Sequence, residues 1–66
     1  MKFSREKLKE ARKARNMKQT ELAAAIGCNQ PAVSNWEKGR QCPGMVSVMK
    51  LADVFGVDPR FFFTGK

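Results

Sequence analysis

Only three residues, Gly27, Cys28 and Asn29, separate two segments that each carry a helical pattern of apolar residues. The chain must therefore turn sharply there and bring two helices into close contact. The first segment, Gln19 to Ile26, sets Leu22, Ala23 and Ile26 on one side and ends at Gly27, which can take the positive φ that such a turn requires. The second starts after Asn29, a good N-cap, and holds Gln30 and Pro31 in its first turn, where a missing amide hydrogen costs little. It runs to about Lys38 and stops at Gly39. Ala23 is small enough to let the two helices approach, and Val33 and Trp36, three apart, supply the inward face of the second. What remains outside is one strip: Gln30, Pro31, Ser34, Asn35 and Lys38 fall at i, i+1, i+4, i+5 and i+8.

The flanking segments are helical too. Ser4 is an N-cap flanked by a hydrophobic staple of Phe3 and Leu8, which predicts a helix from about Arg5 to Arg15 with Leu8 and Ala11 inside. Asn16 tolerates positive φ and marks its stop. Lys18 is a poor cap for the next helix, because its charge opposes the dipole, and Glu21 compensates in part. Met45, Val48, Leu51, Ala52 and Phe55 predict a fourth helix that ends at Gly56. Asp58 then caps a short fifth, with Pro59 at its first position. Three successive phenylalanines cannot all point inward, so Phe62 with Phe63 is assigned to the core and Phe61 to the surface. Met17, Met45 and Met49 read as gap fillers. Alternation of the kind a strand needs is absent over any useful length. The expectation is an all-α fold of five short helices forming one domain over residues 1–66.

Composition narrows the chemistry. Lys and Arg number 13 against 6 Asp and Glu, giving net +7, and residues 1–18 hold eight of the cations against Glu6 and Glu10. That balance suits a polyanionic partner, although a basic helix is also what a solvated face looks like. With Cys28 and Cys42 as the two cysteines and no histidine, one chain cannot assemble four Cys/His ligands, so no metal site is expected. Two cysteines make no disulfide framework, and reduced thiols in the cytoplasm are the expectation. No apolar run approaches the roughly 20 residues of a membrane span, and the N-terminal residues lack the apolar stretch of a signal peptide. No nucleophile has a nearby base, so the chain is not expected to be an enzyme or to carry a cofactor.

The block Gln19 to Gly39 resembles the phage repressor and Cro family of helix-turn-helix domains. Gln19, Leu22, Ala23, Gly27, Val33, Trp36, Glu37 and Gly39 meet every fixed position of that pattern without a gap, and the likeness continues through Pro43, Leu51, Ala52, Phe55 and Gly56 to the Asp58 helix. The resemblance implies a recognition helix at about residues 30–38 in the major groove of double-stranded DNA. It puts Asn29, Gln30, Pro31, Ser34 and Asn35 at base edges or their flanking phosphates. Gln30 and Asn35 lead among these, since each offers a donor beside an acceptor, as adenine does through N6 and N7. The bland reading of both is a solvated helix surface, and of Pro31 simple helix initiation.

Gln19 matches the family's phosphate clamp at a helix start. Lys18 is either a second phosphate ligand or a solvent-facing lysine, and Lys38 and Arg40 follow the recognition helix as expected backbone contacts. Arg12 and Glu37 occupy the positions of an ion pair that braces the first helix against the third. Pro59, Arg60 and Phe61 fall where related domains meet across a two-fold axis, so a weak homodimer on a palindromic operator is implied. The leading expectation is a sequence-specific transcriptional regulator. Two others stay open: an antitoxin that binds a protein toxin and its own operon, and a nonspecific binder driven by charge.

Overall fold

A computed structural model describes residues 2–65. Four α-helices follow one another: α1 (Arg5–Ala14), α2 (Gln19–Ile26), α3 (Gln30–Lys38) and α4 (Met45–Phe55). The expected fifth helix is instead a single 3-10 turn, Pro59–Phe62, whose N-cap Asp58 accepts from the Arg60 amide. Four residues are one turn and no more, and the chain leaves it extended at Phe63. It then pairs with the N-terminal segment: β1 (Lys2–Phe3) and β2 (Phe63–Thr64) form a two-stranded antiparallel ladder with Lys2 opposite Thr64 and Phe3 opposite Phe63. The all-α expectation is corrected to this extent. A two-residue strand is too short to leave any alternation in sequence, and this one forms because the two ends of the fold meet.

The core explains why each helix faces as it does. Leu8, Leu22, Val33, Val48, Leu51 and Phe62 are sealed from solvent, with Ala23, Ile26, Trp36, Ala52 and Phe55 around them. Phe62 gathers the aromatic side of that core: Phe3 stacks on it at 6.1 Å, Phe55 leans on it at the same distance, and Phe61 meets it edge-on at 5.2 Å. Phe63 is half-buried and packs edge-on against Phe3 across the ladder. The stripe of α4 that reaches the core is Val48, Leu51, Ala52 and Phe55. Met45 and Met49, expected as gap fillers, are 68% and 54% exposed, whereas Met17 packs against the core. Met45 keeps the helical period, but its turn lies beyond the end of the core; Met49 sits one residue round from the stripe.

Local signals set the turns. Asn16 takes φ 55° and closes α1. Gly27 takes φ 76° between α2 and α3 and Gly39 takes φ 78° after α3, conformations that cost an L side chain about 1–2 kcal/mol.

Candidate nucleic-acid interface

One ion pair and two glutamines connect α1, α2 and α3 in a relay whose polarity is dictated by a carboxylate. Glu37, its side chain 4% exposed, is gripped by Arg12 at both oxygens, Nε to Oε2 at 2.6 Å and Nη2 to Oε1 at 3.0 Å. The same guanidinium donates through Nη1 to the Met17 carbonyl at 2.7 Å, which ties down the connection between α1 and α2. A carboxylate can only accept, so Gln19 at the start of α2 must turn its amide nitrogen to Glu37, and Nε2 donates to Oε1 at 3.0 Å. That leaves the Gln19 oxygen outward, and Gln30 donates its own Nε2 to it at 2.6 Å. Gln30 is thereby oriented, with its oxygen and its second amide hydrogen free to pair with a group in front of α3.

Burial of Glu37 acts to raise its pKa, but the hydrogen bonds from Arg12 and Gln19 and the charges of Arg12 and Lys9 prevail. Its carboxyl sits below its ordinary value and stays ionised. A buried pair of this kind holds the helices in register more than it adds stability, because each partner would be a buried lone charge without the other.

The strip expected on α3 is there. Val33 and Trp36 face the core, while Pro31 and Lys38 are exposed and Gln30, Ser34 and Asn35 are half-buried. Asn29 is exposed but already at work: its Oδ1 accepts from the Ala32 amide and caps α3. Its amide hydrogens are what it has left to offer. Among the described residues the Asn35 amide side chain makes no hydrogen bond; its carbonyl accepts from the amides of Arg40 and Gln41 and so fixes the first residues past the helix.

The four expected phosphate ligands surround the strip. Lys18 is exposed, and its backbone amide donates to Glu21 Oε1 at 2.7 Å, half of a capping box, while the lysine side chain, a donor itself, cannot accept from the first-turn amides. Gln19 is drawn into the relay rather than standing free. The side chains of Lys38 and Arg40 are exposed at the far end of α3. Pro59, Arg60 and Phe61 lie together on the 3-10 turn. The Arg60 guanidinium grips Asp58 at 3.1 Å, and Phe61 is 39% exposed with the Lys7 ammonium 5.1 Å from its ring centre.

Two arginines have roles that the sequence did not reveal. Arg5 donates through Nη1 to the Lys38 carbonyl at 2.6 Å, capping the C-terminus of α3, and Arg15 donates through Nη2 to the Phe55 carbonyl at 2.9 Å at the end of α4. With Arg12, three cations of α1 and its C-cap are partly spent on holding the fold. The signal was hidden because main-chain carbonyls carry no residue identity. Among the described residues no group of His, Cys, Asp or Glu side chains could hold a metal ion, and no helix is long and apolar enough to cross a membrane. Cys28 and Cys42 are free thiols.

Known proteins resemble this chain in sequence and fold. The model of the HTH_3 family, described as Helix-turn-helix, matches residues 8–62. A 10 kDa protein of the ImmF control region of Bacillus phage phi105 is 33% identical over 51 residues, which is 77% of this chain and 57% of that relative's length. The restriction-modification controller protein C.AhdI of Aeromonas hydrophila superposes with a TM-score of 0.83 at 30% identity, covering 89% of each chain. The P22 c2 repressor, solved with a synthetic operator, superposes over 100% of both chains with a TM-score of 0.89 at 21% identity, a likeness of fold. With the family pattern intact from Gln19 to Gly39 and the matching model spanning most of its length, the chain belongs to the helix-turn-helix family of phage repressor and Cro-type DNA-binding domains.

Proposed function

We propose that this protein is a sequence-specific regulator of transcription that lays α3 in the major groove of duplex DNA. The observation that carries the reading is the relay from Arg12 through Glu37 and Gln19 to Gln30. A solvated glutamine has no need of a fixed amide, whereas a glutamine that reads a base does. Here the free oxygen and the remaining amide hydrogen of Gln30 match the N6 donor and N7 acceptor of adenine. Asn35 is the second reader, and Asn29, Pro31 and Ser34 shape the contact around them. Gln19, with the start of α2 behind it, and Lys18, Lys38 and Arg40 at the edges, meet the backbone phosphates. The relatives support a regulatory role, since they are a phage control-region protein and a controller protein.

One α3 covers too few base pairs for useful specificity, so the regulator binds as a dimer to an inverted repeat. Pro59, Arg60 and Phe61 form part of the dimer contact. Met45, Val46 and Met49, all more than half exposed, extend it with apolar surface of the kind that a lone soluble domain rarely gathers at one end. Selection of bound duplexes from a random pool tests the reading. The expected result is an enriched inverted repeat with half-sites about one helical turn apart. A pool that stays random, with scrambled DNA competing as well as any selected sequence, would overturn it and favour binding by charge.

A further inference from the structure

Two elements converge on the last turn of α3. From α1, Arg5 caps the Lys38 carbonyl and Arg12 grips Glu37, and these residues lie at i and i+7, two turns apart on one face of α1. Lys9, at i+4, is between them on that face, and its charge is felt at the Glu37 carboxylate. Glu37 in turn lies two turns after Gln30 on the same edge of α3, the edge joined by Gln19. The α1 face therefore borders the strip on its Gln30 side and stands beside Lys38 and Arg40, which follow in sequence.

Four cations, Arg5, Lys9, Lys38 and Arg40, thus stand around one helix C-terminus. Stabilising the negative end of the helix dipole needs only one of them, and Arg5 does it. Its guanidinium has five N–H groups, of which one goes to the Lys38 carbonyl and one to Glu6. Lys9 is exposed and makes no hydrogen bond or ion pair among the described residues. By covering the last carbonyl, Arg5 also removes the negative potential that would keep an anion away from this end of α3.

We infer that Lys9, with Arg5 beside it, takes a backbone phosphate of duplex DNA, so that the interface extends from the helix-turn-helix unit onto α1. The inference rests on the reading of α3 as the groove helix. It adds a contact that the recognition strip and its flanking lysines do not include.

Binding of the full chain to its selected duplex, followed by fluorescence anisotropy across a salt series, tests it. Lys9→Gln should lower the slope of log affinity on log salt by about 0.9 per bound protomer, about 1.8 for the dimer, while the selected sequence stays the same. Lys9→Arg should restore the slope, and Lys50→Gln on α4 should leave it at the wild-type value. Because Arg5→Gln also uncaps α3, its loss of slope counts only if its melting curve remains cooperative. A wild-type slope in Lys9→Gln, with the wild-type protein still selecting its operator, overturns the α1 contact and leaves the function standing. A wild-type protein that selects no sequence overturns both.

Discussion

At the residue scale Glu37 ties three helices together, since it answers to Arg12 from α1 and Gln19 from α2 while sitting on α3. Removing the Arg12 side chain strands a buried carboxylate, and Arg12→Ala is expected to cost about 3–5 kcal/mol in denaturant unfolding. The pH dependence follows from the direction of the Glu37 shift. Its carboxyl is held below the ordinary 4.5 in the folded chain, so its ionisation favours folding. That contribution is complete above the unfolded value and disappears as pH falls through the lower folded one. Glu37→Gln is therefore expected to be less stable at neutral pH and to lose stability less steeply than wild type as pH is lowered below 4.5. Parallel slopes in acid would show that Glu37 contributes nothing to the acid transition. Cys28 behaves oppositely: burial pushes its thiol up, with only the Lys50 charge opposing, so it stays protonated and unreactive at neutral pH.

At the scale of elements, α3 was the most legible and the chain ends the least. Asn29 as cap, Pro31 in the first turn and Gly39 as left-handed stop fix α3 from local chemistry alone, and the structure keeps those bounds. Ser4 and Asn16 do the same for α1. Asp58 and Pro59 start a 3-10 turn and an α-helix in the same way; what differs is length, which depends on where Phe63 finds a partner strand. The arginine caps were illegible because their acceptors are carbonyls of distant helices.

One of those caps makes a prediction at this scale. A Cβ at Gly39 would stand 2.6 Å from Arg5 Nη1, whereas at Gly27 nothing lies within 4 Å, and both positions have positive φ. Gly27→Ala should thus cost about 1–2 kcal/mol for the backbone alone. Gly39→Ala should cost more, by the weakening of the Arg5 cap. In an Arg5→Ala background the excess should vanish, as a double-mutant cycle on thermal unfolding would register. An excess that survives without Arg5 would contradict the packing of α1 against the end of α3.

The whole molecule exposes two kinds of surface. One is the α3 strip with Lys18, Lys38 and Arg40. The other is apolar, made of Met45, Val46, Met49 and Phe61, with Arg60 paired to Asp58. Sequence periodicity puts Met45 on the core stripe because it cannot see where the core stops; exposed, Met45 belongs to this apolar surface. On a chain of net +7, two copies can meet across apolar side chains at less electrostatic cost than across the basic strip. Met49→Lys should weaken dimer formation on DNA while leaving the unfolding midpoint of the monomer nearly unchanged. Sedimentation of the complex at rising protein concentration would detect this; an unaltered two-to-one complex would move the contact elsewhere.

The central claim is that α3 reads bases through a glutamine held by the relay. Its most direct test is binding-site selection run in parallel on the wild-type protein, Gln30→Ala and Asn35→Ala. The wild type should enrich one inverted repeat. Each variant should lose preference at a different position within the half-site, at a cost of about 1–3 kcal/mol for that base pair. Identical enriched sequences from all three proteins would contradict the claim.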